Sequence, residues 1–262
     1  MPLAWFVVFL AVFLIGLTKS GFGSGVGLMI VPMTVMGLTH TRLGGGAALG
    51  LMLPLLISGD VLAVWQYRKL FSLQIVKKLL PGTFVGVAVG AALLWWFHSQ
   101  PLARLTALIR LEVGLEAVIL VSLHWYRLWR GNLLHGEPTR TRSTLTGLFA
   151  GASSTLAHAA GPIIALYLLP LKLDRRAFVG TSAVYFGILN VTKLPAYAGI
   201  GQFSREILQL SAMLLPLVVA GALAGAWLNQ RMDDRVFSKV VYAATFALGV
   251  YLVEDGARSL FS

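Results

Sequence analysis

Apolar runs long enough to cross a membrane alternate with short polar loops along almost the whole chain. Leu3–Thr18 opens the series, and unbroken runs follow at about 44–64, 79–97, 104–123, 178–198, 207–229 and 237–253. Most have about 20 residues, the number a helix rising ~1.5 Å per residue needs to cross a hydrocarbon core of ~30 Å. Two runs are interrupted. Gly16 to Pro32 reads GLTKSGFGSGVGLMIVP and is followed by a short apolar piece to about Leu38. In the second half, an apolar piece at 144–157 meets Ser153–Leu166, SSTLAHAAGPIIAL, and a second piece follows at 162–170. Glycines at 21, 23, 25 and 27 each disfavour a helix interior by ~1 kcal/mol relative to Ala. Lys19 and the serines face lipid poorly. Non-helical backbone at membrane depth persists only where it is buried in protein or lines a polar cavity. Both interruptions are therefore read as broken helices at a binding site.

The two interruptions are related. A shift of 134 places Ser20 on Ser154, Ser24 on His158, Gly27 on Gly161, Arg42 on Arg176 and Gly46 on Gly180. A shift of 135 places Pro81 on Pro216, Gly86 on Gly221, Gly90 on Gly225 and Gly114 on Gly249. An offset held over much of each half indicates an internal repeat, and paired broken segments in corresponding halves point to a transporter's binding site. The expected fold is an all-α integral membrane protein of two inverted repeats. Each repeat has a broken, re-entrant helix followed by three transmembrane helices. The expected organisation is an N-terminal repeat at 1–124, a cytoplasmic linker at 125–142 and a C-terminal repeat at 143–262.

Loop charge supplies the inversion. Arg68, Lys69, Lys77 and Lys78 crowd the loop 66–78, and Arg127, Arg130, Arg140 and Arg142 that of 124–142. Lys172, Arg175 and Arg176, then Arg231, Arg235 and Lys239, mark two more basic loops. Placing these in the cytoplasm puts 66–78 inside and its partner near 200–206 outside. The chain then has to enter and leave on one side between 142 and 171, as a re-entrant pair of half-helices would. In the alternative, each broken segment crosses once and the charge count misassigns a loop.

Composition narrows the function. Of 262 residues, 57% are hydrophobic and only 12% charged, with a mean hydropathy of +0.80, against ~25% charged in soluble domains. The net charge of +11 lies in loops between spans, which speaks for orientation in a bilayer and against nucleic acid. Apolar residues begin at Leu3 with no basic n-region, so no cleavable signal peptide is expected. The absence of cysteine excludes disulfides, thiolate metal sites and cysteine nucleophiles. No P-loop, dinucleotide fingerprint or HExxH is present. The chain is expected to be a secondary carrier or channel without cofactor, not an ATPase or other enzyme.

In a re-entrant hairpin the second half-helix starts near the midplane, where its free N–H groups and positive dipole end favour an anion. Pro162 suits its first turn. Gly23, Gly25, Gly27 and Gly161 would let backbone approach a ligand. With the hydroxyls of Ser20, Ser24, Ser153, Ser154 and Thr155, two opposed N-termini would form an oxyanion cradle. The competing reading gives these small residues to helix packing alone. Lys19 is the candidate charge partner, against a snorkelling lysine. His158 could donate or titrate, against a packed neutral histidine. Asn190 could contact substrate or bond another helix. Asp60 and Lys193 are near-equivalent but are expected toward opposite faces, without a direct pair. Glu112 and Glu116 share a helix face, either as a proton relay or paired with basic groups of neighbouring helices. Arg42 and Arg176 read as anchors, and the pairs Gly86/Gly90 and Gly221/Gly225 as packing motifs.

The stretches KSGFGSGVGLMIVP at 19–32 and GASSTLAHAAGP at 151–162, with the P-x4-G-x3-G pattern at 81–90 and 216–225, resemble the TauE/SafE family of sulfite and organosulfonate exporters. That group includes carriers similar to the 4-toluene sulfonate uptake permease. The resemblance covers nearly the whole chain. His158, Ala159 and Ala160 depart from the glycine-rich form of the second motif. The resemblance implies a multi-pass carrier in a bacterial inner membrane, moving sulfite, sulfoacetate, sulfolactate or related anions, usually outward, driven by the membrane potential or by a coupling ion such as a proton or sodium. A homodimer is a further expectation. The rival functions are an anion channel or a carrier of carboxylates. An intramembrane serine hydrolase built on Ser24 or Ser154 with His158 lacks an oriented acid. Cation transport lacks paired acidic residues at the breaks.

Overall fold

The computed structural model describes residues 2–21, 30–39, 41–98, 102–130, 139–168, 171, 173–229 and 234–261. Ten α-helices make up nearly all of the described residues: α1 Pro2–Gly21, α2 Ile30–Thr39, α3 Ala48–Gln66, α4 Leu73–His98, α5 Leu102–Arg130, α6 Arg140–Ala157, α7 Gly161–Leu168, α8 Arg175–Gly199, α9 Arg205–Asn229 and α10 Asp234–Phe261. The protein is thus an all-helical, multi-pass membrane protein. Five stretches, Pro2–Gly21, Gly45–Gln66, Leu73–Phe97, Arg176–Gly199 and Arg205–Leu228, are long and apolar enough to cross a membrane. Helices α5, α6 and α10 were also expected to lie within the membrane, but they fall outside that set. On α5 the reason is visible: Arg110, Glu112 and Glu116 interrupt its apolar run, and Arg110 is turned toward Asp255 of α10, 2.6 Å away.

The apolar runs locate each helix but understate its length, because helices continue into polar ends. The stretch expected as a linker, 125–142, shows this at both of its ends. Residues 125–130 complete α5, and α6 starts at Arg140. Thr139 caps α6, its hydroxyl accepting from the Arg142 N–H, which satisfies one orphan donor of the first turn. Asp174 caps α8 in the same way, accepting from the Ala177 N–H.

Packing carries the repeat into three dimensions. Matched by sequence, α1, α3, α4 and α5 correspond to α6, α8, α9 and α10. In the fold, α1 packs chiefly on α9, α4 on α6, α5 on α10 and α3 on α8. Exchanging the halves leaves this pairing unchanged. The halves are interlocked as a result. One core cluster joins Val8, Ile15, Leu49 and Met52 to Tyr197, Val218 and Leu252. A second joins Val76, Leu79 and Val87 to Ile164, Tyr185 and Leu189. Large apolar side chains such as Phe6, Phe84, Trp95, Met213, Leu223 and Trp227 stay exposed, which suits a surface solvated by lipid.

Glycine decides how closely the exchanged helices approach. A methyl group on Gly86 of α4 would stand 2.0 Å from the Leu148 carbonyl oxygen of α6, and one on its repeat partner Gly221 of α9 would stand 2.0 Å from the Phe13 carbonyl oxygen of α1. Backbones in such contact gain van der Waals attraction that larger residues would prevent.

Candidate functional site

Of the two expected breaks, the one after α6 lies within the described residues. On the first-half side the described chain stops at Gly21 and resumes at Ile30. Gly23, Ser24, Gly25 and Gly27, the heart of the expected cradle, lie outside the described residues. On the second-half side the break is compact. His158 follows α6 in the left-handed conformation (φ 52°), with its N–H bonded to the Ser154 carbonyl. It is the one non-glycine residue with positive φ among the described residues. The half-helix α7 restarts at Gly161, with Pro162 in its first turn as expected.

Polar side chains from other helices reach backbone carbonyls near the described ends of α1 and α6. Tyr67 donates to the Ser20 carbonyl at 2.9 Å, and Tyr197 to the Thr155 carbonyl at 2.7 Å. Lys193, fully buried on α8, donates to the Ser154 carbonyl at 3.0 Å, the Ser154 hydroxyl at 2.9 Å and His158 Nδ1 at 2.8 Å. His158 Nε2 lies 3.1 Å from the Leu49 carbonyl. A carbonyl only accepts, so Nε2 carries the hydrogen and Nδ1 presents the lone pair that Lys193 meets. A cation at a helix C-terminus also meets the negative end of the helix dipole.

Lys19, in the last turn of α1, is held differently. Its ammonium lies 2.6 Å from Asp60 Oδ1 on α3 and 4.4 Å from the centre of the Phe186 ring. The second Asp60 oxygen accepts from Asn190 Nδ2 at 2.6 Å. Asn190 and Lys193 are one turn apart on α8, so Asp60 and Lys193 belong to one cluster. This corrects the expectation that they lie toward opposite faces, although they make no direct hydrogen bond. That expectation took equivalent positions of inverted halves to lie at opposite faces, whereas Asn190, one turn from Lys193, reaches Asp60 directly.

Lys19, Ser154, His158 and Asn190 thus converge with Asp60 and Lys193. Ser20 lies beside Lys19 in sequence, fully buried, with a hydroxyl that has no partner. Thr155 contributes its carbonyl, while its hydroxyl bonds back to Gly151 at 2.8 Å. Gly161 begins α7 and makes no hydrogen bond to the cluster. The residues that sequence reasoning undervalued are Asp60 and Lys193. Their signal was present: an ionisable residue within a span is functional by default. The cluster has two ammonium groups and one carboxylate, all buried or nearly so. Between α3 and α8 a cleft of about 470 Å³ is lined by Asp60, by the apolar Ile57, Val61 and Val64, and by Trp65 and Arg68.

These features define a helical membrane protein in which α6 ends on a buried, cation-rich cluster that also takes in Lys19 of α1. The family model of the sulfite exporter TauE/SafE matches residues 8–252, and the chain belongs to that family. No curated protein and no solved structure matches the chain. Membership makes it a membrane transport protein of the kind that moves sulfite and related sulfur anions.

Proposed function

We propose that the protein is a secondary transporter that exports small sulfur oxyanions or sulfonates, with the ammonium groups of Lys19 and Lys193 supplying the attraction. The observation that carries this is the charge surplus of the cluster: Asp60 can balance only one of the two lysines. A buried charge without a counter-ion is unfavourable, and a small anion entering the site would supply the missing one. Lys193 is the cation that such an anion would meet first, because its three partners are neutral. The alternating-access reading follows from the two interruptions and their repeat relation. A bacterial inner membrane is the setting that the resemblance implies.

The test is counterflow in proteoliposomes loaded with unlabelled sulfite, sulfoacetate, sulfolactate or taurine, with carboxylates of matched size as controls. A carrier accumulates labelled substrate transiently against its gradient. Saturable counterflow with the sulfur anions and none with carboxylates supports the reading. Flux without counterflow would make the protein an anion channel, and carboxylate counterflow would move the substrate to another class.

A further inference from the structure

Midway along α5, Glu112 and Glu116 stand one helical turn apart with their carboxyls against each other. Gly114, between them, faces Gly249 of α10. Residues two positions before and after it point roughly 200° away around the helix, so both carboxyls turn from α10 toward the interior. Glu116 Oε2 is buried and has no hydrogen-bond partner. On α6, Ser153 is only 8% exposed, and its hydroxyl is a second buried polar atom without a partner, lying beside the Glu116 carboxyl. Ser153 can give its own hydrogen to Glu116, but one hydroxyl cannot offset two buried carboxylate charges in contact.

The surroundings supply no other compensation. Neither carboxyl has an ion-pair partner among the described residues. Arg110, two residues before Glu112, is engaged by Asp255 of α10. From α8, Tyr197 lies near Glu112 but gives its hydroxyl hydrogen to the Thr155 carbonyl. Tyr167 of α7 is bonded to Ser143, and the stretches of α2 and Gly45–Ala47 packed on α5 contain no titratable residue. His158 and Lys193 stand beside Tyr197, with ring or ammonium 5.7 and 5.9 Å from its ring.

We propose that Glu112 and Glu116 form a proton-binding site that couples proton movement to anion movement at the Lys193 cluster. Two carboxylates in contact in a water-poor interior cannot both keep their charge, and one proton held between them removes the repulsion. Binding forms one O–H bond to a proton taken from water, and release breaks it. The link to the anion site is short. Ser153, against Glu116, is followed by Ser154, which holds Lys193. Tyr197, near Glu112, fixes the next carbonyl of α6. Loss of the proton places a negative charge beside the end of α6 and weakens the hold of Lys193 on an anion. Coupling rests on the transport reading above, whereas proton binding does not.

Two measurements keep these separate. The first is infrared difference spectroscopy of the purified full-length protein across a pH titration, with Glu112→Gln, Glu116→Gln and the double variant. The carbonyl stretch of a protonated carboxyl should be present in wild type and lost in the double variant, with Asp60→Asn as the control that keeps it. A spectrum unchanged by the double substitution overturns the proton site, whatever the substrate. The second uses proteoliposomes with a trapped pH indicator and a gradient of methanesulfonate, whose anion stays unprotonated. Wild type should change the internal pH as methanesulfonate moves, and the sulfonate that the double variant moves should carry no proton. Methanesulfonate flux in wild type without a pH change overturns the coupling. Lack of counterflow with every sulfur anion would instead overturn the transport reading and leave the infrared result to decide the proton site.

Discussion

Asp60→Asn puts the charge surplus of the cluster directly to the test. Asp60 is 1% exposed and Lys19 12% exposed, so the substitution leaves an ammonium nearly buried without its carboxylate. Breaking a buried ion pair by removing one partner costs ~3–5 kcal/mol. Asparagine keeps the size of the side chain and can still accept from Asn190 or Lys19, which places the expected loss near ~3 kcal/mol. At ~2–4 °C per kcal/mol for a chain of about this length, the unfolding midpoint should fall by roughly 6–12 °C. The same change raises the net positive charge of the site by one. An anion within a few ångströms should then gain at least ~1.4 kcal/mol, a tenfold tighter Kd. The assay is thermal unfolding in detergent with and without sulfite or sulfoacetate, with a neutral polyol at equal concentration as control. The expected result is a destabilised variant rescued by the anion at lower concentrations than shift wild type. A variant as stable as wild type would mean that the Lys19–Asp60 pair is solvated. A destabilised variant with unchanged anion affinity would place the anion elsewhere.

Three other outcomes follow from the same geometry. Lys193→Ala removes an ammonium with three buried hydrogen bonds, each charge-assisted bond contributing about 1.5–3 kcal/mol. Sulfonate binding should weaken by tenfold or more, and Lys193→Arg should not restore it, because a planar fork cannot meet three convergent acceptors; wild-type affinity in folded Lys193→Ala, read by equilibrium binding, would return the role to Lys19. Gly86→Val and Gly221→Val should both lower yield and unfolding temperature, since each added carbon meets a backbone carbonyl at 2.0 Å; normal stability would show that the helix pairs α4–α6 and α1–α9 can part without loss. Single cysteines at Ser72 and Lys172 should both resist an impermeant thiol reagent added outside intact cells and react once the membrane is opened, as inverted repeats demand; external labelling of one alone would mean that the broken segments cross the membrane.

A buried charged cluster in a membrane protein is poorly legible in one dimension, because charge compensation is a tertiary property. Lys19, Ser154, His158 and Asn190 stood out because polar residues are rare in apolar runs. Their partners could not be read. Lys19 sits 41 positions from Asp60, and Asp60 130 from Asn190, and no periodicity connects them. The acidic pair shows the same limit. Its i, i+4 spacing put Glu112 and Glu116 on one face, but the expected basic partners on neighbouring helices are absent among the described residues. The one cation nearby in sequence, Arg110, is instead taken by Asp255.

The sequence by itself determined which segments are helical, that they belong in a bilayer and where α6 gives way to α7. Those properties follow from local hydropathy and from the intrinsic conformational preferences of glycine and proline, both carried within a few residues. The repeat offset likewise announced that the halves would pack by a common rule. Only the tertiary structure decided that α1 crosses to α9 and α6 to α4, and so that Lys193 of α8 meets the end of α6 while Lys19 meets Asp60. Which helices touch depends on the summed fit of whole surfaces, on glycines that admit a facing backbone at two or three points. Which charges pair then follows from that fit, because a buried ion takes the compensating groups that packing brings within reach.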